Sequence, residues 1–301
     1  MDRDGDGETP HSAAALEETF ATIGNETRAE ILRILGGEPH SALSFSELRS
    51  RMTSDIGSGQ FNYHLDKLRG QFVTRTEDGY TLRPEGVILY RLVRAGTFTQ
   101  EVDLDPFEVG VDCYFCGAAV EARYETGILE MVCPGCDYQY GRTRLPPSAI
   151  DSDDPHAALS LIDQYLRQDI LALSGGVCPF CVNAVDVAFV TDEGWMEDVD
   201  PLDVLVRYTC DHCGNQHYLS VGLSLLYRPS LIAFFHDHGV DVTETPHWEF
   251  EFAMTDAALT VRDTDPWEVT LEITRGEETL VVTVDDDLTV LEADRVSASP
   301  P

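Results

Sequence analysis

Ser58-Gly59-Gln60-Phe61-Asn62-Tyr63-His64-Leu65-Asp66-Lys67-Leu68-Arg69-Gly70-Gln71-Phe72-Val73-Thr74-Arg75-Thr76-Glu77-Asp78-Gly79-Tyr80-Thr81-Leu82-Arg83-Pro84 changes its period twice within 27 residues. Phe61, Leu65 and Leu68 fall at i, i+4 and i+7, the spacing of a helix with one buried stripe, and Ser58 is placed to cap it. After Gly70 the residues become β-rich: Phe72–Thr76 and Tyr80–Arg83 flank an Asp-Gly turn, a hairpin signal. Pro84 then opens another helix, with Val87, Ile88, Leu89, Leu92 and Val93 on a broad apolar face.

Upstream of this stretch the signals are helical. Ser44-Phe45-Ser46-Glu47 reads as a capping box, with a helix running to about Met52. A helix from Thr27 to Leu35, capped by Asn25 or Glu26, stops at Gly36-Gly37 and buries Ile31, Leu32 and Leu35. Before it, Ala15, Leu16, Phe20 and Ile23 recur at helical spacing from His11 to Ile23. Four helices, a hairpin and a helix give the order of a winged helix-turn-helix over residues 12–98, behind a polar tail at 1–11.

On the helix from Ser58, the stripe leaves Gln60, Asn62, Tyr63 and Lys67 facing outward, with His64 at the margin. Gln and Asn pair bidentately with adenine, and Lys reaches guanine or phosphate. Gly24-Asn25-Glu26-Thr27-Arg28-Ala29-Glu30-Ile31-Leu32 resembles the opening helix of ArsR-type winged-helix regulators, and Ser58–Leu68 resembles their recognition helix. The likeness covers about residues 14–95. It implies a recognition helix in the major groove, a wing at Arg75–Arg83 along the backbone, and a homodimer formed through flanking helices. Ser58, Gln60, Asn62, Tyr63, His64, Lys67 and Arg75 are the candidate contacts to double-stranded DNA. Metal-sensing members of that family carry cysteines near the recognition region; here none precedes Cys113.

Charge separates the front of the chain from the rest. The 301 residues carry 54 acidic and 20 basic side chains, a formal net charge of -34, and Lys67 is the sole lysine. Residues 1–100 hold a net of -4 and residues 101–301 a net of -30, while Arg28 to Arg94 alone is +2. Only that compact segment is not repelled by a polyanion. Arg in place of Lys within such an acid excess resembles proteins of salt-in halophilic archaea, whose hydrated carboxylate surfaces stay soluble where salt screens charge.

All eight cysteines fall into four C-x-x-C pairs: Cys113/Cys116, Cys133/Cys136, Cys178/Cys181 and Cys210/Cys213. Each pair suits a knuckle that presents two thiolates to one ion, and two knuckles complete a tetrahedral S4 site. The first two pairs are separated by 16 residues, a zinc-ribbon spacing, and the last two by 28, with the acidic insert TDEGWMEDVDP looping out. Two structural Zn²⁺ ions are expected, with other pairings of the knuckles, or iron, left open. No secretory or membrane-spanning segment is read, so the expected compartment is cytoplasmic, where thiols stay reduced and metal is favoured over disulfides. His212 and His217, near the last knuckle, are expected to be bystanders.

The expected class is α+β: a zinc-ribbon-containing β-rich domain over 105–295 follows the N-terminal module. Within it a first ribbon spans 110–145, a helix 155–174, a second ribbon 176–220 and terminal strands 247–292, with residues 101–112 read as a linker and 296–301 as a tail. A short helix is expected near Arg228–His238. The helix 155–174 carries Leu159, Ile162, Leu166, Ile170 and Leu173 on one stripe. No Walker A, G-x-G-x-x-G, H-E-x-x-H or G-x-S-x-G pattern occurs, so catalysis has no positive support. Asp285-Asp286-Asp287 reads as a strand-end turn, and His236, His238 and His247 as a helix-end surface before a ligand set. The expected function is a DNA-binding transcriptional regulator. Two alternatives stand beside it: a transcription-machinery or scaffold protein resembling archaeal transcription factor E, and a zinc-dependent enzyme.

Overall fold

A computed structural model describes residues 13–39, 41–191 and 202–297. The expected tails at 1–11 and 298–301, and residues 192–201 of the acidic insert, lie outside the described residues. The chain is mixed α and β and divides into two units, Met1–Gln100 and Glu101–Pro301.

The first unit is built from α1 (Ala13–Ile23), α2 (Glu26–Gly36), α3 (Phe45–Ser50), α4 (Ser58–Leu68), the hairpin β1 (Val73–Arg75) and β2 (Tyr80–Leu82), and α5 (Pro84–Arg94). Asn25 is the cap of α2, its side chain accepting from the Arg28 amide. Ser44 and Glu47 close the capping box of α3, with Ser44 N donating to Glu47 at 2.9 Å. α3 ends at Ser50, short of the expected Met52. Ser58 does not cap α4: it already lies in the helix, and Gly57 is the extended cap residue, with no side chain to bond. Ile31, Leu35, Leu48, Phe61, Leu65, Leu68 and Val73 form the buried core. At the hairpin tip Gly79 has a φ of +145°, and a Cβ there would lie 2.4 Å from the Leu43 carbonyl oxygen. That approach lets Leu43 and Tyr80 exchange backbone hydrogen bonds of 3.0 and 2.8 Å, so the segment before α3 lies against the hairpin.

The second unit opens with an antiparallel sheet in the order β3 (Leu104–Asp112), β4 (Ala119–Glu125), β5 (Ile128–Val132), β6 (Gln139–Arg144). Residues 104–112 are therefore a strand, not a linker: Phe107, Val109 and Val111 alternate inward against the first core. The 20-residue helix α6 (Pro155–Ser174) follows, capped by Asp154 through the Ala157 amide. A second sheet joins β7 (Asp186–Val190), β8 (Leu205–Thr209) and β9 (Gln216–Ser220). Then come α7 (Val221–Leu225), α8 (Pro229–Asp237) and α9 (Glu251–Met254), and a four-stranded meander of β10 (Leu259–Thr264), β11 (Trp267–Arg275), β12 (Glu278–Asp285) and β13 (Val290–Ser297). The terminal strands thus begin at Leu259, because His247–Glu249 and Glu251–Met254 form two short helical turns rather than a strand. β13 continues through Ser297, paired with Glu278, into what was expected to be tail.

α6 spans two cores. Ala158 and Ile162 pack with Val120, Tyr124 and Met131 of the first sheet, and Ile170 and Leu173 pack with Val206, Tyr208, Phe234 and Val282 in the second. α7 approaches α9 so closely that a Cβ on Gly222 would lie 1.8 Å from the Phe252 carbonyl oxygen. Among the described residues no helix is long and apolar enough to cross a membrane.

Candidate metal centres and nucleic-acid interface

The four C-x-x-C turns share one backbone form. In each, the first cysteine's carbonyl accepts from the amide four residues on, at 2.8–3.0 Å: Cys113 from Gly117, Cys133 from Asp137, Cys178 from Val182 and Cys210 from Gly214. The first cysteine's amide donates to the carbonyl five residues on, at Ala118, Tyr138, Asn183 and Asn215. The residue after each second cysteine is left-handed, with φ of +76° at Gly117, +62° at Asp137, +62° at Val182 and +72° at Gly214. Gly takes that conformation freely, whereas a β-branched residue does so only when the turn forces it. Val182 shows how firmly this turn is imposed.

The strands bring the turns together in two quartets, Cys113/Cys116/Cys133/Cys136 and Cys178/Cys181/Cys210/Cys213. This resolves the pairing: the first turn joins the second, and the third joins the fourth. Sγ atoms lie 3.6 Å apart for Cys113–Cys136, 3.3 Å for Cys116–Cys133, 3.7 Å for Cys178–Cys213 and 3.5 Å for Cys181–Cys210. These are not bonded sulfurs. A tetrahedral ion with metal–sulfur bonds of about 2.3 Å sets its sulfurs roughly 3.7 Å apart, so each quartet has the size of an S4 metal site.

Donors converge on the sulfurs. Gly135 N donates to Cys133 Sγ at 3.3 Å, Asn183 Nδ2 to Cys181 Sγ at 3.4 Å, and Asn215 Nδ2 to Cys178 Sγ at 3.7 Å. The four sulfurs of a quartet are unequal. Burial opposes ionisation of Cys113, but bonds from Tyr140 and the Phe115 and Cys116 amides bring it down to about 6. The Asn183 backbone amide, with burial opposing, lowers Cys181 to about 6. Burial and the neighbouring thiols push Cys136 up to about 12. Cys213 also rises to about 12, against the pull of the Asn215 amide, through burial and the three thiols around it. Four thiolates at these separations repel one another, and a cation among them removes the conflict.

Tyrosines beside the cysteines fix the first quartet. Tyr140 Oη accepts from Tyr114 N at 2.8 Å, Tyr114 Oη donates to the Trp248 carbonyl at 3.2 Å, and Tyr138 Oη to the Met254 carbonyl at 2.7 Å. Neither His212 nor His217 joins a quartet. His217 Nε2 lies 2.9 Å from Asn215 Nδ2, and burial lowers its pKa against the pull of Asp169.

His236, His238 and His247 do not come together as a ligand set. His236 and His238 end α8, with His238 Nδ1 2.8 Å from the Phe234 carbonyl. His247 is not on a surface. It is buried with Nδ1 3.3 Å from Asp163 Oδ1, and Asp163 also accepts from Arg167. Arg167 Nη1 donates to the Val242 carbonyl at 2.6 Å, and its guanidinium lies over the Tyr227 ring. The sequence holds no local sign of this cluster, because Asp163 and Arg167 on α6 meet residues 60 to 84 positions further along the chain.

On α4, Ser58, Gln60, Asn62, Tyr63 and Lys67 are exposed, together with Asp66. His64 is not at the margin. It is 8% exposed, because the buried stripe is wide enough to take in residues 61, 64, 65 and 68. The ring lies with the buried stripe rather than on the exposed face expected to meet DNA, and burial and the nearby Arg28 lower its pKa. Asn62 Nδ2 donates to Asp66 Oδ2 at 3.0 Å, and Asp66 also pairs with Arg69 at 2.9 Å. Lys67 Nζ sits 5.8 Å from the Tyr63 ring centre, and Arg75 lies over Tyr80. Between α4 and β1, Asp66, Arg69, Gly70, Val73, Thr74 and Arg75 line an open hollow of about 520 Å³.

Residues 110–290 match the model of a domain of unknown function (DUF7351), and residues 16–93 match another domain of unknown function (DUF7347). No curated protein and no solved structure matches the chain.

Proposed function

We propose that this chain, which belongs to the family of the domain of unknown function DUF7351, is a sequence-specific DNA-binding transcriptional regulator of ArsR-like, winged helix-turn-helix form. Two structural Zn²⁺ ions hold its second unit. The observation that carries the reading is the exposed face of α4. Gln60, Asn62, Tyr63 and Lys67 stand out from a fully buried Phe61–Leu65–Leu68 stripe, beside a hairpin carrying Arg75. Gly57 and Gly59 leave the start of α4 bare, so its free amides can approach a phosphate. Gln60 reads a base edge, Lys67 and Arg75 hold phosphates, and Asn62 must exchange its bond to Asp66 for one to DNA.

The partners are a DNA duplex and a second copy of the chain. α1 exposes Leu16 and Phe20, and α5 exposes Ile88, Leu92 and Val93, which gives the front unit an apolar surface for self-association. Zinc is the ion favoured by four thiolates in a closed tetrahedron, and a full shell leaves no position for water or substrate, so the ions act on folding.

The test is binding to operator fragments recovered by genome-wide mapping of bound sites. Gln60→Ala and Lys67→Ala, with the fold intact by circular dichroism, should abolish operator binding; unchanged affinity in both overturns the assigned face. The carboxylate of Asp66 within the α4 face favours a second reading, in which the front unit docks on the transcription machinery. Co-purification with RNA polymerase, with no binding to isolated DNA, supports that reading instead.

A further inference from the structure

We propose that the outer face of α6 is a self-association surface, on which the helix pairs antiparallel with α6 of a second copy. The proposal does not depend on DNA binding. α6 has three charged residues, Asp163, Arg167 and Asp169; the first two are buried and the third is half-buried. Its exposed residues are His156, Ala157, Ser160, Leu161, Gln164, Tyr165, Gln168 and Leu171, without one carboxylate or guanidinium. Over a helix of about 30 Å this is anomalous in a unit that carries a net of -30.

The spacing is that of a seam. Ala157, Leu161, Gln164, Gln168 and Leu171 recur at intervals of four, three, four and three, the a/d repeat of a helix that packs on another helix. The buried stripe of Ile162, Ile170 and Leu173 is separate and already filled by the two cores. Leu161 is 56% exposed and Leu171 49%, with Tyr165 exposed beside the seam, so its apolar part stands open.

Charge identifies the occupant. A basic partner would be met by acidic residues, which this chain supplies almost everywhere else. A second copy brings a net charge of -34 against itself, and the surface it tolerates is one without charge. Charge also sets the direction. Asp151, Asp153 and Asp154 cluster exposed at the start of α6. A parallel pair would bring six carboxylates together, whereas an antiparallel pair places them at opposite ends and sets Leu161 beside Leu171 of its partner.

Sedimentation of the full chain in molar KCl tests this once the front-unit surface is disabled by Ile88→Glu with Leu92→Glu. The expected result is a dimer that falls to half its mass when Leu161→Glu and Leu171→Glu are added, with both metal sites still filled. Mixing the Leu161→Lys/Leu171→Lys chain with the Leu161→Glu/Leu171→Glu chain, both on the disabled background, should restore the dimer, which an unfolded variant cannot do. A chain that is already monomeric with α6 intact, or a dimer indifferent to the α6 substitutions, overturns the proposal.

Discussion

Asp163 Oδ1 accepts a hydrogen bond from His247, 84 residues away in sequence, with both side chains almost fully buried. Arg167 completes the cluster one helical turn along α6, so the carboxylate fastens the segment that enters α9 onto the helix spanning both cores. Burial opposes the charge of Asp163, but the bonds from His247 and Arg167 prevail and hold its pKa below the ordinary 3.8.

A folded-state value below the unfolded one means that the charged carboxylate stabilises the fold above about pH 3.8. That stability is lost as pH falls from there through the lower folded value. Asp163→Asn leaves Arg167 buried without its counter-charge and should cost about 3–5 kcal/mol of stability. It should also remove this acid-dependent step from urea unfolding measured from about pH 5 down to about pH 2. A variant as stable as the parent would show that the cluster does not hold the segment.

Metal removal should separate the two units. Structural zinc in small modules contributes about 10–16 kcal/mol at pH 7. A chelator under reducing conditions should therefore unfold the second unit and leave the first, which has no cysteine, with its helical signal. Metal analysis should give two ions per chain, and Cys133→Ser should lose the ion of its own quartet while the Cys178 quartet keeps its ion. A reduced, metal-free chain that retains its near-ultraviolet signal would refute the role given to the quartets.

Legibility followed the range of the signals. The capping box at Ser44 and Glu47, the Asp78-Gly79 turn, and the apolar stripe from Leu159 to Leu173 are local signals, and the α3 helix, the hairpin and α6 are each legible from them. The quartets were legible because C-x-x-C knuckles announce themselves, although which knuckles meet required the sheets. β3 is hidden: Phe107, Val109 and Val111 alternate, but Asp105, Pro106, Glu108, Gly110 and Asp112 around them give the segment a linker's composition. β10 has a single strongly apolar pair, Leu259 and Val261, and is an edge strand that its neighbour specifies. His64 reads as marginal from the sequence because a three-residue stripe sets only the centre of a buried face and not its width. Asp163 with His247 could not be read at all, since nothing local distinguishes a buried carboxylate from an exposed one in so acidic a chain.

The burial of His64 carries a pH prediction. Its pKa is lowered from the ordinary 6.5, so the unfolded chain takes up a proton that the folded one refuses. Stability of the first unit should be full above pH 6.5 and decline as pH falls from there toward the lower folded value. His64→Leu should flatten that decline in thermal unfolding followed from pH 8 to pH 5, without a selective loss of one base preference in the DNA-bound state. If His64→Leu changes operator specificity while the pH profile stays as it was, the ring contacts DNA after all.

Salt dependence is where the charge distribution makes the DNA-binding proposal most exposed. A typical basic domain loses affinity steeply with salt, because each neutralised phosphate releases a counterion. Here the segment from Arg28 to Arg94 carries a net of only +2, tethered to a unit of -30 that repels the duplex at low ionic strength. Adding KCl weakens the attraction of a few Arg and Lys side chains, but it weakens the larger repulsion as well, over a screening length of about 3 Å at 1 M. Operator affinity should therefore be flat or rise between low and molar KCl. The residues 1–100 fragment, provided that it folds alone, should instead lose affinity with salt. A steep fall in affinity for the full chain would mean that the second unit lies too far from the duplex to be felt.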